Sequence, residues 1–190
     1  MKKLWIIAAA VVVTIGAGVA VAATSSDKKS DKKTNTTSMG HPVTLGSVKA
    51  CQVLTPAVAL KILGEGAERG NAASDTSSED ITVSNCLYSS KTDSSLESVK
   101  NMRTASLLIR SPLTQEGADS NHTPFHSLKE GAVEISGYGD MAFWDPELGQ
   151  LNVLKSGSWY ILSIGKTGVS DHSIEDSKAF AGALGLAAMR

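Results

Sequence analysis

The chain has 190 residues, of which 42% are hydrophobic and 19% charged, a composition that fits one domain with a sizeable core. Its formal net charge of -1 conceals an asymmetry, because residues 1–50 carry seven lysines and two acids whereas the remainder carries eleven basic and seventeen acidic residues. The mildly acidic remainder argues against a nucleic-acid-binding surface, so we expect no nucleic-acid partner.

Residues 1–23 are predicted to be a signal anchor or a signal peptide. After a basic Met-Lys-Lys start, residues 4–23 contain no charge, and twenty helical residues span a hydrocarbon core of about 30 Å. The small residues at 20–22 also fit a signal-peptidase site, so cleavage remains open. In either case the initial lysines favour a cytoplasmic N-terminus and an exported remainder. We therefore expect either a single-pass protein held in the membrane through residues 4–23 or a secreted one.

Residues 24–47 are predicted to be a disordered linker. The segment is polar, repeats Ser-Asp-Lys-Lys and has no apolar period. Its lysines could contact anionic lipid headgroups or a wall polymer, or the segment could be a solvated spacer. The exported domain is then expected to cover residues 48–190.

The first half of this domain should contain one short helix and two strands. Thr55 as N-cap and Pro56 at the first helical position predict a helix that stops at Gly64. A loop over 64–80 leads to a strand over 81–89 and a second strand over 102–110, both with apolar residues at alternate positions. A helix over 120–130 is only weakly predicted, because Pro124 lies within it.

The second half centres on residues 137–165, the densest apolar and aromatic stretch after the N-terminus. Asp145-Pro146 and Ser156-Gly157 are turn signals that divide it into three strands of an antiparallel meander. A final helix is predicted from Ser173, as N-cap, with an apolar stripe from Phe180 to Ala188. The sequence thus predicts an α+β domain: an antiparallel sheet of about five strands with a C-terminal meander, packed by a short N-terminal helix and a C-terminal helix.

Cys51 and Cys86 are the only cysteines in the chain. In an exported protein an even number of cysteines predicts a disulfide, and two cysteines without a Cys-x-x-Cys spacing do not indicate a redox motif. His122 and His126 lie four residues apart, but the segment lacks the glutamate of the zincin pattern and a third ligand. We expect no metal and no cofactor, and we expect His172 to lie on the surface.

The strands of the meander carry apolar residues on both faces, so they are either covered on both sides or functional on one. The candidate ligand-binding residues are Tyr138, Asp140, Trp144 and Trp159. The acids Asp140, Asp145 and Glu147 could instead serve hydrolysis, although turn formation explains them without a substrate.

Several motifs follow a recurring order. They are CQVLTP from Cys51, Ile62-Leu63-Gly64, Asn85-Cys86-Leu87-Tyr88, and GYGDMAFW at 137–144 ahead of a Leu-Asn-Val-Leu-Lys strand. Over about residues 50–165 the chain resembles small envelope proteins of Gram-positive, especially actinobacterial, bacteria that carry domains of unknown function, many of them lipoproteins. The resemblance implies an α+β domain with an antiparallel sheet and a cysteine pair. This chain departs from the pattern in its anchor, since a plain apolar span replaces a lipobox cysteine, and the family offers no catalytic residues to carry over.

These observations favour a non-catalytic, extracytoplasmic binding module for a small ligand, an envelope polymer or a protein. The alternative is a structural or protein-interaction protein of the cell envelope, followed by a hydrolase.

Overall fold

A computed structural model describes residues 40, 42–64, 66–70, 74–90, 95–166 and 171–188. The predicted anchor or signal at 1–23 and most of the predicted linker lie outside the described residues. Among the residues that are described, no helix combines the length and the hydropathy needed to cross a membrane.

The described residues form short helices and antiparallel strands, named here in chain order. They are α1 (Ala50–Val53), α2 (Pro56–Leu63), β1 (Glu68–Arg69), β2 (Ser74–Ser77), β3 (Ile81–Ser89), α3 (Leu96–Lys100), β4 (Arg103–Pro112), α4 (Gln115–Lys129), β5 (Val133–Glu134), β6 (Met141–Asp145), β7 (Gln150–Lys155), β8 (Ser158–Lys166) and α5 (Ile174–Ala183).

All strands join one antiparallel sheet in the order β1-β3-β4-β8-β7-β6-β5, and β2 pairs with β3 beside β1. This architecture confirms the predicted α+β class, the antiparallel sheet and the C-terminal meander. Within the described ranges the sheet has eight strands, more than the five or so predicted. The additional strands β1, β2 and β5 are two to four residues long and mostly exposed, so they carry no alternating pattern that the sequence could reveal.

The sheet has two covered faces. The face called here the helix face packs against α1, α2 and α5 and contains the larger core, with Cys86, Leu107 and Leu162 fully buried. The opposite face packs against α4 through a smaller core of Phe125, Phe143, Leu154 and Trp159.

Helix α4 is longer than predicted and includes Pro124. A proline inside a helix costs about 3 kcal/mol, and the neighbouring Phe125 offsets this by burial. Its ring lies 4.8 Å from that of Phe143 and 5.8 Å from that of Trp159, edge to face. Gly117 lets the first turn approach β3 closely, since a Cβ there would overlap the carbonyl oxygen of Asp80.

The predicted helix caps are confirmed. Thr55 accepts a hydrogen bond from the N–H of Val58 at 3.3 Å, and Ser173 accepts one from Asp176 at 3.0 Å. Helix α5, however, ends at Ala183, so the predicted stripe to Ala188 was too long. After the helix, Gly185 has a φ of 71° and Ala187 pairs with Tyr138 in an isolated bridge.

Residues 42–50, called here the strap, cross the helix face in an extended path. Four alternate backbone N–H groups donate to the sheet: Thr44 to the Ser156 carbonyl at 2.9 Å, Gly46 to the Pro112 carbonyl at 2.9 Å, Val48 to Ser111 Oγ at 3.1 Å and Ala50 to Ser84 Oγ at 2.8 Å. The predicted linker extended to residue 47. Residues 44–47 are instead hydrogen-bonded to the domain.

Candidate functional site

The disulfide predicted from the sequence is present between Cys51 of α1 and Cys86 of β3. Cys86 is fully buried and Cys51 half-buried, so the bridge fastens the end of the strap to the helix face. A structural disulfide is consistent with an oxidising, extracytoplasmic compartment.

The two tryptophans among the candidate ligand-binding residues lie on opposite faces of the sheet. Trp144 pairs with Leu151 and belongs to the core of the helix face, whereas Trp159 pairs with Leu154 and packs under α4. Both are nearly buried, at 7% and 5% exposure. The structure therefore does not bring them together into one pocket.

Three of the four candidate ligand-binding residues have side-chain polar atoms that form hydrogen bonds within the fold. The Tyr138 hydroxyl donates to the Lys178 carbonyl at 3.1 Å, and Trp159 Nε1 donates to Asn152 Oδ1 at 3.0 Å. The Asp140 carboxylate is exposed and accepts a hydrogen bond from the Ser156 N–H at 2.6 Å.

The acids proposed for the hydrolase alternative do not converge. Asp140 precedes β6 and Asp145 is its last residue, so they lie at opposite ends of the strand. Asp145 Oδ1 accepts hydrogen bonds from the N–H groups of Glu147 at 2.9 Å and Leu148 at 3.0 Å, which is turn chemistry. A pair of carboxyl groups flanking one substrate bond needs both groups in one cleft.

His172, expected at the surface, is half-buried against β8 and the turn that precedes β7. Its ring occupies space left by Gly149 and Gly165, where a Cβ would overlap it. Nδ1 lies 3.0 Å from the Gly149 carbonyl and 3.4 Å from Ser163 Oγ. A carbonyl oxygen only accepts, so this contact requires the proton on Nδ1, and that nitrogen then has no lone pair to take a proton from Ser163. The arrangement does not form a nucleophile–base pair.

His122 and His126 share one side of α4, with ring centroids 4.6 Å apart, and His122 is buried. Within the described ranges, no group of three or more His, Cys, Asp or Glu side chains could hold a metal ion. The histidine pair therefore gains no third protein ligand from that part of the chain.

The best candidate site is a cavity of about 320 Å³ beside the strap, called here the strap groove. Its walls are residues 44–48 of the strap, and its remaining lining comes from Lys155, Ser156, Ser158 and Tyr160 around the β7–β8 turn. Asp140 borders this groove, because its carboxylate accepts a hydrogen bond from the Ser156 N–H.

The strap groove combines apolar walls with hydrogen-bonding groups. Leu45 is 39% exposed and Val48 half-buried, so both offer apolar surface. Burial raises the pKa of the Tyr160 phenol, which therefore stays protonated at neutral pH and can donate. Lys155 donates to the Gly185 carbonyl at 2.9 Å and keeps further N–H donors.

Sequence reasoning missed the strap, although the strands carry a signal for it. Thr82, Ser84 and Ser111 are buried polar residues on the helix face, at positions where the alternation calls for apolar side chains. Buried hydroxyl groups need hydrogen-bond partners, and the strap provides them: Ser84 and Ser111 accept from its backbone, and Thr82 donates to Ser47 Oγ at 3.2 Å.

No protein-family model matches the chain, and no curated protein or solved structure shows significant similarity to it.

Proposed function

We propose that the protein is a non-catalytic, extracytoplasmic binding module, tethered to the membrane or secreted, that holds a small amphipathic ligand in the strap groove. The observation that carries the proposal is the groove itself, a cavity with an apolar wall and a hydroxyl-rich end that includes Lys155. The disulfide supports the compartment.

The size and lining of the groove restrict the ligand. About 320 Å³ is at the lower end of the 300–1,000 Å³ typical of small-molecule sites. Leu45 and Val48 suit an aliphatic or aromatic tail, whereas Lys155 and the Tyr160 hydroxyl suit a head group that accepts hydrogen bonds. A medium-chain carboxylate meets both requirements, so decanoate is a suitable probe.

The binding proposal is tested by native mass spectrometry of the full-length, oxidised chain incubated with decanoate. Leu45→Asp places a charge at the apolar wall, and the matched control Leu60→Asp places one on α2, where Leu60 is 50% exposed. We expect a decanoate adduct with the unsubstituted chain and with Leu60→Asp, and none with Leu45→Asp. An adduct that persists in Leu45→Asp, or no adduct at all, would contradict the groove as the site. A dimer without adduct would favour the structural or protein-interaction alternative.

The compartment is tested separately by protease treatment of spheroplasts from a bacterial host that expresses the full-length chain. We expect an added protease to degrade the domain without detergent, or the domain to appear in the medium if the signal is cleaved. Complete protection inside intact spheroplasts would contradict an extracytoplasmic domain.

A further inference from the structure

A second cavity, of about 330 Å³, lies beside the disulfide and shares no lining residue with the strap groove. Apart from Cys51, the residues that line it are polar or charged, and they include Lys49, Arg69, Asp75 and Ser84. It lies at the edge where β1 and β2 both pair with β3, and it is called here the disulfide cavity.

Strand register determines which charges share this side of the sheet. Arg69 pairs with Tyr88 and Asp75 pairs with Ser84, and both partners belong to the helix face. Glu68 pairs with Ser89, and because strand residues alternate, its carboxylate lies on the opposite face from Arg69. Glu68 is therefore poorly placed to neutralise the charge of Arg69.

The other two charges neutralise each other. Lys49 Nζ lies 3.0 Å from Asp75 Oδ2. The Ser84 hydroxyl and the Lys49 ammonium both hold the pKa of Asp75 below its usual value, so the carboxylate is ionised at neutral pH. Ion pairs between described residues also join Arg103 to Asp176 and Lys129 to Glu134, and none of these pairs involves Arg69. The cavity lining thus has a net positive charge, located on a guanidinium.

We propose that the disulfide cavity binds an oxyanion, either a carboxylate or a phosphate group, with Arg69 as the principal ligand and Lys49 as the second. The planar guanidinium presents paired N–H donors that match two oxygens of such a group. Lys49, whose charge is balanced by Asp75, adds N–H donors at the same cavity. This inference does not depend on the strap groove.

The test is a titration of the full-length, oxidised chain in neutral maltoside micelles, followed by amide NMR shifts at constant ionic strength. Sodium phosphate and sodium acetate are titrated separately. We expect saturable shifts around Arg69 and Cys51, with a dissociation constant on the order of millimolar, as befits a partly exposed site. Stronger binding of phosphate would point to a phosphoryl ligand, and equal or stronger binding of acetate to a carboxylate.

Two variants with opposite expected effects keep the proposal testable. Arg69→Ala should weaken binding about tenfold because it removes the bidentate donor. Asp75→Asn should strengthen binding about threefold, because it removes a negative charge and frees Lys49. Arg103→Ala, an arginine change in a different cavity, is the control and should leave binding unchanged.

The proposal is overturned if neither anion produces saturable shifts, if Arg69→Ala and Arg103→Ala behave alike, or if Asp75→Asn weakens binding. Leu45→Asp should not affect this titration, so failure here and failure of the strap groove are distinguishable.

Discussion

Ser84→Ala tests whether the strap is held by buried hydroxyl groups. Ser84 Oγ accepts the Ala50 N–H at 2.8 Å, and the two residues are 3% and 0% exposed. The alanine leaves a buried backbone donor without its acceptor, which costs about 1–3 kcal/mol. The disulfide still holds Cys51 against Cys86, so the loss reflects the hydrogen bonds of Ser84, to the Ala50 N–H and to Asp75, and not release of the strap.

The measurement is guanidinium unfolding followed by tryptophan fluorescence, with amide hydrogen exchange at Ala50 as the local readout. The control is Ser106→Ala, half-buried on the opposite face of β4, which should stay within about 0.5 kcal/mol of the unsubstituted chain. Equal effects of the two alanines, or unchanged exchange at Ala50 in Ser84→Ala, would refute the reasoning.

Three further experiments test the fold. Replacing Cys51 and Cys86 by alanine removes a bridge between residues 35 apart and should cost about 4 kcal/mol by loop entropy, measurable against the oxidised chain by the same unfolding assay. Gly117→Ala should destabilise the fold by about 1–3 kcal/mol, because the added Cβ would overlap the backbone of Asp80. Gly182→Ala adds a Cβ in open space within a helix and should stabilise the fold by up to about 1 kcal/mol. Equal shifts in melting temperature for the two variants would contradict this. Ser156 has a φ of 50° in the two-residue β7–β8 turn, a conformation in which asparagine before glycine is preferred. Ser156→Asn should therefore stabilise the fold by about 0.5 kcal/mol, and a lower melting temperature would contradict this.

Local signals in the sequence predicted the local features of the fold. Thr55 and Ser173 cap helices as expected because their hydroxyl groups bond to backbone N–H groups three residues further on. The alternation predicted for the strand over 81–89 is observed in β3, where Cys86 and Leu87 lie on opposite faces, because the side-chain period of a strand does not depend on tertiary contacts.

Features that depend on distant contacts could not be predicted in this way. Pro124 argued against a helix, and its tolerance depends on Phe125 packing against Phe143 and Trp159. The exposed strands β1 and β2 are ordered by pairing with β3, not by a pattern of their own.

The separation of the two tryptophans was, in contrast, available from the sequence. A two-residue turn at Ser156-Gly157 fixes Lys155 opposite Ser158, and therefore Leu154 opposite Trp159. The Asp145–Gly149 loop similarly fixes Trp144 opposite Leu151. Leu151 and Leu154 are three residues apart on one strand, so their side chains lie on opposite faces, and so do those of the two tryptophans.

The strap connects the two proposed sites, because residues 44–48 line the strap groove while Lys49 and Cys51 line the disulfide cavity. A ligand that binds only while the strap is hydrogen-bonded to the sheet stabilises that docked state by RT ln(1 + [L]/Kd). At a ligand concentration of ten times Kd, amide exchange that requires the strap to open should slow about tenfold. Phosphate or acetate at that level should therefore slow amide exchange at Ala50, whose N–H is bonded to Ser84, and should leave Leu107 in the centre of the sheet unchanged. Equal slowing at both amides would indicate general stabilisation by salt, and no slowing at Ala50 would show that the anion does not require the docked strap.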